Sequence, residues 1–314
     1  MSQEKNEEKL KRKNKSALLM IEALFVMLLW GSLYPTVKLG YQEFGVRGDR
    51  ISDLWLFAGL RFFLCGAVVC AFCVGKKGNF LSRQKKDWIA VLWVAVFSVA
   101  LHYSFTYIGL SKTESSKTAL LKQLGTLFFV CFSFLFFKGE RFTFMKGISA
   151  LFGVLGIVCL QSDSLKIALG IGEILIILSS FCTVTSNVAL KKISPTANPV
   201  FVVGFSQILG GAVLLILGFS TGGRLSMPDG SGWLVFGYIA FANIFGYFLW
   251  YSIVGKADLS YLFLVKLSEP FFALICSAVI LKEDVFKVQY LLSFLCVVVA
   301  MVCSNLRFSK KRKE

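Results

Sequence analysis

A chain of 314 residues that is 56% apolar and only 17% charged, with 32 phenylalanines and a mean hydropathy of +0.71, carries more hydrophobic surface than one soluble core consumes. That excludes an ordinary water-soluble domain. The formal charge of +16 raises nucleic acid as a partner, but the basic residues lie mostly between the apolar runs, where they report membrane topology or contact with anionic lipid.

Runs of about 18 to 22 apolar residues are what a bilayer-spanning helix requires. They fall near 17–39, 53–74, 88–110, 116–137, 145–161, 168–189, 198–219, 232–254, 259–281 and 286–306. The runs lack the alternation of a barrel strand, and backbone groups in hydrocarbon must bond within their own segment, so the spans are helices. The expected fold is therefore an all-α integral membrane protein of ten transmembrane helices. Lys and Arg number 22 in one alternating set of intervals against 8 in the other, which predicts cytoplasmic termini in a multi-pass protein of the cell membrane. The first span follows a basic segment, is too long for a signal-peptide core, and reads as retained.

In chain order, span one holds Trp30 and Tyr34 four apart, with Pro35 beside them as a candidate hinge. Span two carries Arg61, whose planar fork suits a carboxylate or exposed carbonyls. It also carries Cys70 and Cys73, which with no second pair and one histidine in the chain read as packing and not as a metal or redox site. Tyr107 and Tyr251 fall near helix ends, where an interfacial aromatic belt is the default and a place in a binding site the alternative. Lys122 in span four and Lys266 in span nine are ionisable groups at depths where charge is costly, so they should face the bundle interior and a polar cavity, with snorkelling the alternative for Lys122. Glu269 stands three residues after Lys266, as a cavity carboxylate or a structural counter-ion. Pro270 removes a donor and would bend span nine. Asn243, Gln207, Asn187 and His102 are polar groups suited to bonding across helices, Asn243 also to contacting a solute.

Sliding the chain against itself exposes a repeat. At a shift of 144, Tyr103 falls on Tyr247, Tyr107 on Tyr251, Lys112 on Lys256, Glu114 on Asp258, Lys122 on Lys266 and Lys138 on Lys282; after a one-residue slip Glu140 meets Glu283. At 145, Gly59 and Gly66 fall on Gly204 and Gly211. The expected domains are a basic tail 1–16, a first five-helix repeat 17–161, a second 168–306 and a basic tail 307–314. Two copies of a unit with an odd number of spans must insert in opposite orientations, the arrangement from which many carriers build alternating access around a midplane site.

The segments LLWGSLYPTVKLG, YIGLSKTESSKTALL and KADLSYLFLVKLSEPFFALICSAVILKEDVF resemble the EamA-like family of the drug/metabolite transporter superfamily. The resemblance extends over nearly the whole chain after the tail. It implies a five-plus-five inverted-repeat fold with a central cavity and movement of small metabolites, and it rests partly on Trp30-Gly31 and Glu269-Pro270. Gly125-Thr126 departs from the pattern where the second half has Glu269-Pro270, so the two gates need not be equivalent.

The function expected is a secondary carrier, export included, of small organic solutes such as amino-acid-like metabolites. A membrane-embedded lipid-modifying enzyme or a channel is the alternative, although one histidine and scattered carboxylates give an enzyme little to work with. No catalytic residue, metal or cofactor is expected. The expected partners are a small-molecule solute and membrane lipid, with room for a homodimer.

Overall fold

The computed structural model describes the backbone of residues 2–75, 84–132, 143–160, 169–193, 198–254, 265–266 and 268–305. Among these the chain is helical throughout, without a strand: α1 (Ser2–Glu43), α2 (Ile51–Gly75), α3 (Lys85–Val94), a π-helical segment (Ala95–Leu101), α4 (His102–Lys112), α5 (Ser115–Phe132), α6 (Phe144–Leu160), α7 (Ile171–Ile193), α8 (Pro199–Ser220), α9 (Gly230–Val254), α10 (Ser268–Leu281) and α11 (Val288–Asn305). Among the described residues five helical stretches are long and apolar enough to cross a membrane: Leu18–Glu43, Ile51–Phe72, Lys85–Lys112, Val200–Ser220 and Gly230–Trp250. Shorter apolar helices join them at Phe144–Leu160, Ile171–Thr183, Ser268–Leu281 and Val288–Cys303. Side chains as apolar as Phe72, Ile216 and Val279 are 64%, 67% and 74% exposed. Water does not tolerate such an exterior; a bilayer does.

Through the basic tail, α1 runs back to Ser2. Its composition favours this: Glu7 and Lys11, like Glu8 and Arg12, stand four apart with the acid first. Elsewhere local chemistry sets the helix ends. Asn198 accepts from the amides of Val200 and Phe201 at 2.9 and 3.4 Å, with Pro199 in the first turn of α8. At the far ends of α1 and α8, Gly45 and Gly222 take φ of 60° and 76°, a conformation that costs a residue with a Cβ far more.

Glycine sets how two of the longest helices meet. A Cβ on Gly59 would lie 2.9 Å from the Gly211 carbonyl, and one on Gly66 would lie 2.7 Å from the Gly204 carbonyl. Residue numbers rise along α2 as they fall along α8, so the two helices are antiparallel and in backbone contact. A second antiparallel pair is α6 with α11: Ser149 Oγ donates to the Ala300 carbonyl at 2.6 Å, and Gly156 faces the Ser293 carbonyl. One apolar core, with Phe44, Phe57, Phe62 and Tyr107, joins α1, α2, α4, α8 and α9; another, with Leu120, Leu124, Tyr290 and Val297, joins α5, α6, α7 and α11. A polar cavity lies among these helices.

Candidate functional site

The cavity has a volume of about 220 Å³. α1 contributes Trp30, Leu33, Tyr34 and Val37, a spacing of three, four and seven residues that puts all four on one helix face. Across from it, Ser98, His102, Tyr103, Thr106, Tyr107 and Leu110 line the wall made by the π segment and α4. A π turn carries an extra residue and rotates the next stretch of helix about its axis, and such turns recur at functional sites. The composition of 88–110 reads as one regular helix and gives no sign of it. Arg61 enters from α2, Lys122 and Gln123 from α5, Ser180 and Thr183 from α7, Asn243 and Tyr247 from α9, and Lys266 and Glu269 from the start of α10 and the residues before it.

Of the expected site residues, the fold thus brings together Trp30, Tyr34, Arg61, Tyr107, Lys122, Asn243, Lys266 and Glu269 on one cavity. Several make contacts other than those the sequence suggested. Glu269 does not neutralise Lys266 as an ion pair: it accepts from the Tyr34 hydroxyl at 3.2 Å, while the Lys266 ammonium lies 5.9 Å from the Trp250 ring centre. Lys122 does not snorkel outward, since its ammonium lies between the rings of Tyr34 and Tyr103 at 5.6 and 5.7 Å. Tyr107 departs from its belt default. It is 2% exposed, its hydroxyl accepts from Arg61 Nη1 at 2.6 Å, and its carbonyl accepts from Tyr41 at 3.3 Å. The side chains of Tyr251, Asn187, Cys73 and the Gly125-Thr126 pair lie outside the described residues, as do Lys138, Glu140, Lys256 and Asp258.

Arg61 is the most deeply buried cation of the lining among the described residues. It is 3% exposed, its Nε has no hydrogen-bond partner, and among the described residues no carboxylate lies at ion-pair distance from it. The Phe62 ring lies 4.8 Å from the guanidinium carbon. Among the described residues, two further buried polar atoms of the lining, Thr106 Oγ1 and Asn243 Nδ2, also make no hydrogen bond. Trp30 packs against Tyr247 and Trp250, each with ring centres 5.5 Å apart. Tyr103 and Tyr247 carry no mark of a site residue in the sequence, although the repeat aligns them.

Pro35 and Pro270 stand where backbone hydrogen bonding is rearranged. Pro35 lies inside α1, so the Gly31 carbonyl four residues back loses its usual donor; a Cβ on Gly31 would lie 2.8 Å from the Glu269 carbonyl and 2.9 Å from the Ala273 amide. Pro270 sits in the first turn of α10, and the carbonyl it leaves without a helical donor is that of Lys266. Gln123 Nε2 supplies the substitute at 3.2 Å. No sequence pattern flagged Gln123. His102, placed as a cross-helix bonding group, pairs its Nδ1 with the Ser179 carbonyl at 2.6 Å and Thr183 Oγ1 at 2.7 Å.

Beyond one end of the cavity the charges are paired. Glu283, between α10 and α11, accepts from the amides of Ser115 and Ser116 at 2.8 and 3.0 Å and from the Ser116 hydroxyl at 2.7 Å, capping α5 from another part of the chain. Lys38 Nζ is 3.7 Å from Glu283 and donates to the Thr113 carbonyl at 2.9 Å. Burial pushes the Glu283 carboxyl up, but the hydrogen bonds from Ser116 and Ser115 and the Lys38 charge outweigh it and hold it below the ordinary carboxylate range. Nearby, Lys117 pairs with Glu173 at 2.9 Å and Tyr290 with Glu114.

The bundle has an apolar exterior and, among the described residues, a cavity lined by cations, phenols and the Glu269 carboxylate, an arrangement that keeps costly polar groups away from lipid. The sequence profile of the EamA-like transporter family matches residues 16–161 and again 170–305. The chain belongs to that family and is an integral, multi-pass membrane protein. It is 26% identical to an uncharacterized transporter of Synechocystis over 305 residues, covering 88% of this chain and 86% of that one. It is 28% identical to the uncharacterized transporter YetK of Bacillus subtilis over 270 residues, covering 80% and 77%. An uncharacterized transporter of Archaeoglobus fulgidus is 25% identical over 259 residues, covering 81% and 87%. A solved crystal structure superposes with a TM-score of 0.61 at 19% identity, covering 91% of this chain and 97% of that one; it shares the fold.

Proposed function

We propose that the protein is a secondary carrier of small organic metabolites, amino-acid-like solutes among them, which moves its solute by alternating access of two inverted five-helix repeats around the central cavity. The observation that carries this reading is the cavity itself: ionisable side chains from α2, α5 and α10 converge there, away from lipid, in a chain of a transporter family. Such groups are expensive within a membrane and are kept where a solute or ion needs them.

The repeat is supported by exchange of contacts. Under the 145-residue shift Gly59 becomes Gly204 and Gly66 becomes Gly211, which turns the Gly59–Gly211 contact into the Gly66–Gly204 contact. Ser149 and Gly156 likewise lie 144 residues before Ser293 and Ala300, so the two contacts between α6 and α11 exchange as well. Antiparallel contact between repeat mates is what opposite insertion of the copies requires, and the double match of the family profile points the same way. In this reading the units are 17–161 and 168–306, the membrane is the cell membrane, both termini are cytoplasmic, and Pro35 and Pro270 provide the bends. Tyr251 joins the solute site as the repeat mate of Tyr107.

The test is counterflow in liposomes containing the purified full chain, preloaded with a pool of metabolites. A carrier gives saturable, solute-specific exchange. Fast unsaturable flux would establish a channel, and a chemically altered solute or lipid an enzyme.

A further inference from the structure

The charge of the cavity selects among solutes. Among the described residues its lining holds three cations, Arg61, Lys122 and Lys266, against the carboxylate of Glu269. A zwitterion leaves that excess of positive charge in place, and a cation adds to it. The sign survives the loss of a proton from either lysine, because Arg61 and the other lysine still outnumber Glu269. A guanidinium does not deprotonate in a protein, so the Arg61 charge is permanent. Arg61 is 3% exposed, with a phenol hydroxyl as its hydrogen-bond acceptor and its Nε unpaired among the described residues. Burying an ion without a counter-ion destabilises a fold strongly, and a site that keeps one is completed by the charge it lacks.

We infer, resting on the carrier reading above, that this cavity binds a small organic acid of net negative charge, with one carboxylate or phosphate group seated against the Arg61 guanidinium. The other atoms fit that occupant. The Thr106 hydroxyl and the Asn243 amide, which make no hydrogen bond among the described residues, offer hydrogens to an acceptor-rich ligand, and the ammonium groups of Lys122 and Lys266 lie on neighbouring walls. Trp30, Leu33 and Val37 give the solute's carbon skeleton an apolar face. The volume of about 220 Å³ is below the ~300–1,000 Å³ of drug-sized pockets, which sets the scale at a metabolite.

The test uses the purified full chain in detergent and four probes of different charge: succinate, glycerol 3-phosphate, leucine and choline. Binding is read by tryptophan fluorescence, since Trp30 lines the cavity, and by thermal shift. Succinate or glycerol 3-phosphate, or both, will bind saturably and more weakly as salt is raised, and which of the two binds distinguishes a carboxylate site from a phosphate site. Leucine and choline will not bind at the same concentrations. R61K, which keeps the charge and loses the fork, will weaken acid binding about tenfold, and R61Q more. The unliganded melting temperature of R61Q will be unchanged or higher, whereas a merely structural arginine would lower it. Binding of leucine or choline as tight as that of the acids, acid binding equal in wild type, R61K and R61Q, or no binding of either acid would overturn the inference. The two readings fail separately. If a neutral or cationic solute shows saturable counterflow while both acids show none, the carrier stands and the acid preference falls; if nothing in the pool is exchanged, the carrier reading falls.

Discussion

The Glu283 cluster and the central cavity use the same chemistry to opposite ends. In both, charged side chains from distant parts of the chain meet between α1, α5 and the α10 region. Around Glu283 the charges balance: the carboxylate takes three hydrogen bonds and faces Lys38, and Lys38 also holds the Thr113 carbonyl. In the cavity the cations exceed the carboxylate, and Arg61 Nε, Thr106 Oγ1 and Asn243 Nδ2 make no hydrogen bond among the described residues. The two regions differ in charge more than in hydrogen bonding, since Thr113 Oγ1 and Ser115 Oγ beside Glu283 also make no hydrogen bond among the described residues; a charge answered within the chain holds helices together, and Arg61 has no such answer among the described residues.

That contrast can be broken by mutation. The largest effect is expected for Lys122→Ala and Lys266→Ala in the cavity, each of which should lower solute exchange by about 10- to 100-fold, the loss of one hydrogen bond to a charged group. The amount of folded protein in the membrane should change little; equal losses of exchange and of folded protein would make these lysines structural. Next comes Gly31→Ala, where the new methyl meets the Glu269 and Ala273 backbone. Overpacking of this kind costs about 1–3 kcal/mol, to be read as a lower melting temperature and reduced exchange together. A variant as stable as wild type would show that α1 and α10 can separate freely.

Glu283→Gln should act on stability and leave solute affinity alone, at about 1 kcal/mol, the difference between a charged and a neutral acceptor. Its pH dependence sharpens the comparison. A carboxyl held lower in the folded than in the unfolded state stabilises the fold above its unfolded pKa of about 4.3, and that contribution disappears as pH falls through the folded value. Wild type should therefore melt higher than the variant at neutral pH, and the gap should close in acid. A gap that widens in acid would mean that Glu283 is bound as the neutral acid. The smallest effect belongs to Asp49, which pairs with Arg47 at 3.0 Å on an exposed loop. Asp49→Ala should leave both melting temperature and exchange unchanged.

Much of the fold was legible from composition and periodicity. The expected 53–74 became Ile51–Gly75, 145–161 became Phe144–Leu160 and 198–219 became Pro199–Ser220, because the length of an apolar run is a local property that the bilayer reads directly. Lys122 and Lys266 were legible for a related reason, since a charge inside such a run declares its own cost. Tyr107 stayed open between an interfacial belt and a site because a tyrosine near a helix end has the same local signature whether it meets headgroups or a buried arginine. Gln123 carried no signal at all, because its task is set by Pro270 on another helix. The π segment before His102 was hidden for a similar reason, as its residues have the composition of any apolar helix.

What the sequence by itself determined is that this chain lives in a membrane as a bundle of helices and that a few costly charges must turn inward. Each conclusion rests on the free energy of single residues in hydrocarbon. Only the tertiary structure decided which charges are answered. Glu269 bonds Tyr34 and not Lys266, Glu283 caps a helix more than 160 residues away in sequence, and Arg61 has no acid beside it among the described residues. Electrostatic compensation depends on distances of a few ångströms between groups remote in sequence, and folding alone creates those distances.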